Sequence, residues 1–249
     1  MAEVTGIAWC DHTFNPWIGC QKVSPACDHC YAETQDVRFH GGVHWGPGAP
    51  RRRTTDAYWR APLLWHRKAK AAGVRRRVFC ASSADVFDNA VPETWRQDLW
   101  ALIAATPALD WLLLTKRPQN ILKMLPANWG GGWPSVWLGT SVENEVERRR
   151  RVPVLLTVPA RIRFLSCEPL LEPVDLAEDL ASGALHWIIV GGESGRGRRP
   201  MLPGWPRSLR DQCAAAEIPF FFKQWGAKAP GDDLLDGTLH HEWPASDTR

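Results

Sequence analysis

At 249 residues, with 45% hydrophobic and 23% charged residues, the chain has the make-up of a globular protein with room for a substantial core, which excludes a disordered molecule. A net charge of +3 is mild, and no apolar run reaches the roughly 20 residues needed to cross a bilayer, which excludes a membrane-spanning partner role. The opening "MAEVTGIAWCDHTF" lacks a basic segment followed by an apolar stretch, so a cytoplasmic protein with reduced thiols is expected.

Taken in chain order, the first β-rich run is "TGIAWCDHTF" at 5–14. Directly after it, "NPWIGCQKVSPACDHCYAE" places Cys20, Cys27 and Cys30 within eleven positions. "GGVHWGPGAPRRR" at 41–53 has little capacity for regular structure. A helix is expected over 57–72, a strand over 77–87, and a helix over 92–105, where Pro92 and Glu93 make a good start. Strand runs follow at 110–118, 135–144, 162–171, 186–195 and 218–226, with helix candidates at 118–125, 143–151 and 204–216. These runs are nearly continuous in apolar residues, as in parallel strands covered on both faces. Alternating β and α units predict an α/β fold. Seven strands spaced mostly 25 to 35 residues apart favour a partial or complete parallel (β/α) barrel over an open doubly wound sheet. The barrel domain is assigned to 1–226 and an irregular extension to 227–249.

Parallel strands point their carboxyl ends to one face, where such folds keep their sites. Those ends carry Ser82, Ser83 and Asp85; Thr115, Lys116 and Arg117; Thr140, Ser141, Glu143 and Asn144. The later strands add Ser166, Cys167 and Glu168; Gly191, Gly192, Glu193 and Ser194; Lys223 and Gln224. A polar turn explains the hydroxyls and glycines. It explains Lys116, Glu168, Glu193 and Lys223 less well, because charge beside an apolar strand is costly unless paired. Carboxylates and lysines at one mouth suit a zwitterionic ligand.

The cysteine segment follows the first strand and so belongs to the same mouth. In reduced surroundings three clustered thiols read as metal ligands. Three thiolates leave one position open: on a [4Fe–4S] cluster, an iron free for an exogenous ligand; on zinc, a position for water or for Cys10, His12 or His29. Cys80, Cys167 and Cys213 fall in strand or helix patterns and are expected in the core, as are most of the 15 tryptophans. Arginine is clumped at 51–53, 75–77, 148–151 and 196–199, which suits phosphate contacts and a nucleic-acid partner as well as solvated surface.

The segment "IAWCDHTFNPWIGCQKVSPACDHCYAE", with "SSADVFD", "LLLTKRP", "VWLGTSVEN", "FLSCEPLLEP", "IIVGGESG" and "FFFKQWG", resembles phage-associated and bacterial proteins of unknown function that share a three-cysteine motif, the phage Gp37/Gp68 type. That family is in turn similar to the radical S-adenosylmethionine (SAM) enzymes. The resemblance implies a partial barrel, a [4Fe–4S] cluster on Cys20, Cys27 and Cys30, and SAM cleaved there to a 5′-deoxyadenosyl radical. Glu193 or Glu168 would then meet the SAM amino group or ribose, and Lys116 and Lys223 a carboxylate or a substrate phosphate. Two features depart from the usual radical-SAM pattern. The spacing is C-x6-C-x2-C in place of C-x3-C-x2-C, and Gly191–Gly192–Glu193 follows the sixth strand, where the second offers Ser82, Ser83 and Asp85. A different class of reading is a non-catalytic zinc- or iron–sulfur-dependent nucleic-acid-binding protein acting with a partner protein. A zinc hydrolase ranks last, since the strand ends carry no histidine.

Overall fold

The computed structural model describes residues 5–245 apart from Arg196 and Lys228, so Arg196 of the fourth arginine cluster and the outermost residues of both assigned segments lie outside the described residues. In chain order the chain forms β1 (His12–Phe14), β2 (Trp17–Ile18), α1 (Tyr31–His40), β3 (Arg52–Arg53), α2 (Asp56–Trp59), α3 (Ala61–Ala71) and β4 (Arg76–Cys80). There follow α4 (Glu93–Ala104), β5 (Leu109–Thr115), α5 (Ile121–Met124), β6 (Val136–Ser141), α6 (Glu145–Leu156) and β7 (Ile162–Cys167). Last come α7 (Ala177–Ala181), β8 (Trp187–Gly191), α8 (Gly204–Ala215), β9 (Phe220–Gln224), β10 (Leu234–Leu235) and β11 (Thr238–Leu239). Seven strands make one sheet in the order β1-β4-β5-β6-β7-β8-β9, every pair parallel. This is the α/β half-barrel the strand spacing predicts.

The two faces of the sheet bury different things. Outward residues such as Val78, Leu113, Leu138, Leu165, Ile188 and Phe222 pack under the helices. The alternate residues Phe79, Leu112, Trp137, Phe164, Trp187, Ile189 and Phe221 form an inner core with Trp9. Trp9 contacts Phe79 at 4.5 Å and Trp187 at 6.3 Å between ring centroids, joining strands four places apart in the sheet. Gly139 makes room in that core: a Cβ there would lie 2.5 Å from the Phe164 ring.

Several expected elements take a different form: of the runs over 5–14 and 77–87 only His12–Phe14 and Arg76–Cys80 are strand, and the helix over 118–125 is a short turn followed by Ile121–Met124. The helix over 57–72 is two helices, because Pro62 in the first turn of α3 has no N–H to give and the chain restarts at Arg60. The helix over 143–151 runs on to Leu156 with Pro153 inside it, capped at its start by Asn144, which accepts from the Glu147 amide at 2.9 Å. Beyond 226, the chain returns to the free edge of β9. The Phe222 amide donates to the His240 carbonyl at 2.8 Å, and the Glu242 amide to Phe220 at 3.2 Å. Trp243 packs on Phe221, lies under Arg77 and donates to the Trp9 carbonyl at 3.2 Å, so the extension bridges both sides of the half-barrel and covers an edge that would otherwise invite pairing. Among the described residues no helix is long and apolar enough to cross a membrane.

Candidate functional site

The inward phase that carries Phe164 and Phe221 carries Ser166, Glu168 and Lys223 one and two steps further along the same strands. These side chains, with Ser141, line a cavity of about 550 Å³ at the carboxyl ends of the sheet. Its floor is Trp9, Phe79 and Leu114. Cys20, Cys27 and Cys30 line the same cavity. The three cysteines and the strand tips therefore line one cavity, with the three sulfurs not all within 4.8 Å of one another.

Strand-end charges hold the cysteine loop in place. Arg117, after β5, donates to the Gln21 carbonyl at 3.0 Å and to Cys20 Sγ at 3.5 Å. Glu143, after β6, accepts from the Ala26 amide at 3.3 Å and pairs with buried Arg151 at 2.8 Å. Glu193, after β8, accepts from His29 Nδ1 at 2.8 Å and from Arg199, whose guanidinium also reaches the Pro25 carbonyl at 2.9 Å. Three strands thus anchor one loop. Burial alone would raise the Glu193 carboxyl, but the Arg199 side chain and amide, with His29, outweigh it and hold it at about 2. Burial and the neighbouring Asp85 charge push the Cys20 thiol up to about 11 against the pull of Arg117.

The residues expected to meet a ligand divide into two groups. Asp85 is buried and fully engaged: it accepts from Thr115 Oγ1 at 2.8 Å, from the Phe87 and Lys116 amides, and from Arg117 at 2.9 Å. Its role is to hold Arg117 against Cys20, and Thr115 serves the same network. Ser82 exchanges hydrogen bonds with Asn15 at the end of β1, and its carbonyl accepts from Tyr31 at 2.8 Å. Glu193 is taken up by the loop. Gly191 does not line the cavity; it lies beneath Glu168, and a Cβ there would come within 3.4 Å of that side chain. Gly192 does line it, but a Cβ would meet the Trp225 carbonyl at 2.3 Å, so the glycine pair answers to the close approach of the β9 segment. In the second group, Glu168 and Lys223 form an ion pair facing the cavity. Lys116 also lines it, and its ammonium makes no hydrogen bond or ion pair among the described residues.

Of the fourth-ligand candidates, Cys10 and His12 line a separate cavity with Trp65, where the His12 ring stacks on that indole at 4.4 Å. His29 lines the cysteine cavity. Cys80, Cys167 and Cys213 are core residues, as the strand and helix patterns predict. The partners that sequence reading missed are Arg199 and Arg151, both hidden inside arginine runs. The signal for Arg151 is its spacing from Glu147, four residues back on α6, and from Glu143 just before the helix: it hydrogen-bonds Glu143 at 2.8 Å and lies 3.0 Å from Glu147 as an ion pair.

The arginine runs mostly pair within the fold. Arg51 meets Asp88, Arg75 meets Asp110, Arg76 and Arg77 meet Asp11, and Arg148 meets Asp179. Arg53 pairs with Asp98 and lies 3.9 Å over the Trp59 ring.

Residues 4–244 match the family described as "Protein of unknown function (DUF5131)". The chain belongs to this family. No curated protein matches it. Among solved structures, a mutant spore photoproduct lyase with bound AdoMet and dinucleoside spore photoproduct is similar at a TM-score of 0.45 and 12% identity, over 80% of this chain. The chain covers 59% of that protein, a likeness too distant to carry a function across.

Proposed function

We propose that this member of the family is an iron–sulfur enzyme of radical-SAM type, with a [4Fe–4S] cluster on Cys20, Cys27 and Cys30, and that its kinship is with the phage-type three-cysteine proteins. The observation that carries the reading is the shared cavity: three thiols face the same space as Lys116, Ser141, Ser166, Glu168 and Lys223. The donor set fits such a cluster, since three thiolates leave one position free, and Arg117 directs an N–H at Cys20 Sγ as donors to cluster sulfurs do. When bound and reduced by an external one-electron donor, the cluster would supply the electron that cleaves the SAM sulfonium to methionine and a hydrogen-abstracting 5′-deoxyadenosyl radical.

The chain's own residues position and shield. Lys116 meets the SAM carboxylate. Glu168, oriented by Lys223, takes the amino group or the ribose hydroxyls, the part that Glu193 gives up to hold the loop. Ser141 and Ser166 complete the polar wall, and Trp9, Phe79 and Leu114 keep the floor dry. We extend the proposal to a nucleotide or nucleic-acid substrate. Its support is that Arg76, Arg149 and Arg150 keep side-chain exposures of 51%, 74% and 56% despite their carboxylate partners, so a phosphate can compete for them.

One observation favours a second reading. Glu193 holds His29 Nδ1, which turns Nε2 into an acceptor in the manner of a metal-bound imidazole. A zinc site on these cysteines and His29 would suit a nucleic-acid-binding protein that works with a partner, but no three of the four donor atoms lie within 4.8 Å of one another, so the loop would have to close on the ion. Incubating the reduced, iron–sulfur-loaded chain with SAM separates the two. The first reading expects 5′-deoxyadenosine; its absence from fully loaded protein removes the radical-SAM assignment. Nucleic-acid binding, where it occurs, should weaken steeply with added salt.

A further inference from the structure

The end of α1 carries a group of side chains that the cysteine cavity does not use. Asp36 is buried on the last turns of the helix; His40 lies one turn on, and His44 in the loop beyond. One donor atom from each of the three lies within 4.8 Å of the other two. His44 Nδ1 is 2.8 Å from Asp36 Oδ1, and His40 Nδ1 is 3.2 Å from the same oxygen. The second carboxylate oxygen accepts the His44 amide at 3.1 Å.

An Asp–His hydrogen bond accounts for His44, and His40 meets the same carboxylate oxygen as a looser i,i+4 ion pair. Its Nδ1 is buried and has no hydrogen-bond partner, although it faces a carboxylate. Arg52 donates to the outer nitrogen, Nε2, at 2.9 Å, which leaves the ring proton on the inward Nδ1, so an ion bound at Nδ1 would shift that proton to Nε2 and release the Arg52 contact. Two imidazoles and one carboxylate at this spacing are the donor set of a borderline divalent ion. Calcium and magnesium want oxygen donors throughout, and the group holds no thiolate for a cluster.

We propose that Asp36, His40 and His44 form a second metal site, apart from the cysteine cavity, that takes a divalent ion of the zinc class and acts as a staple. Its placement gives it a task. The residue after His44, Trp45, bridges to Cys20, and the Gly46 amide donates to the Cys20 carbonyl at 2.9 Å. Arg51, paired with Asp88, holds the His44 carbonyl at 3.3 Å. An ion here ties the end of α1 to the Gly/Pro/Arg loop on which Cys20 leans. The site stands whether the cysteines hold iron–sulfur or zinc.

The test is cobalt(II) titration of the full chain carrying Cys20→Ser, Cys27→Ser and Cys30→Ser, so that no thiolate of the trio competes. One equivalent should bind with visible ligand-field bands and without thiolate-to-cobalt charge transfer. His40→Ala and His44→Ala should each weaken binding by more than the about 10- to 100-fold that losing an outer-shell partner costs. Binding that His40→Ala leaves unchanged, or no binding at all, overturns the site. As a second measurement, the chain with its cysteines intact should retain one more zinc after dialysis than its His40→Ala variant, whose altered side chain is 30% exposed, and zinc should raise the melting temperature of the former by more than that of the latter. Equal zinc contents would likewise overturn it.

Discussion

The two ends of the half-barrel treat the same inward phase in opposite ways. Toward the amino ends of the strands the inward positions are Trp9, Trp137, Phe164, Trp187 and Phe221, sealed below by Trp243. Toward the carboxyl ends they become Ser141, Ser166, Glu168 and Lys223, and a cysteine loop replaces the aromatic fill. One end is filled for cohesion and the other opens into a polar-walled cavity. Most charges at the mouth stabilise the loop and not a guest: Arg117, Glu143 and Glu193 each spend their bonds on residues 20–29.

The sharpest way to separate the ends is to damage one and assay the other. Phe164→Ala should cost about 3–5 kcal/mol by denaturant unfolding while leaving the metal content of the folded protein unchanged. Arg117→Ala should break the division, because it strands buried Asp85 and frees Cys20. About 3–5 kcal/mol of lost stability should come together with lower iron retention, and stability loss with full retention would remove Arg117 from the loop's support. Gly139→Ala, which pushes a methyl into the Phe164 ring, should cost about 1–3 kcal/mol and again spare the mouth. The smallest effect is one of pH. Glu193 sits at about 2 in the folded chain against its ordinary 4.5, so its stabilisation is complete above that ordinary value and drains away as pH falls toward 2. The stability gap between the unaltered chain and Glu193→Gln should be flat above pH 5 and narrow below it. A gap that widens on acidification would contradict the clamp.

The fold was legible because parallel buried strands announce themselves as apolar runs of even spacing, and the site because all carboxyl ends must meet. Helix α1 gave no such signal: Val37 and Phe39 are 59% and 65% exposed, so it has no apolar stripe to read. The roles of Asp85 and Glu193 were hidden for a different reason. A charge after a strand looks the same whether it awaits a ligand or a distant backbone amide, and only the Arg117 and Arg199 contacts tell them apart. Arginine runs are ambiguous in the same way. Arg51 and Arg151 are buried ion-pair partners that sit next to exposed neighbours of the same type.

Iron, acid-labile sulfide and zinc, measured on anaerobically purified and reconstituted protein beside its Cys27→Ala variant, test the central claim most directly. The account predicts about four irons and four sulfides per chain, broad visible absorption, and loss of both in the variant. A colourless chain that takes up no iron or sulfide, with zinc on the cysteines, would contradict it.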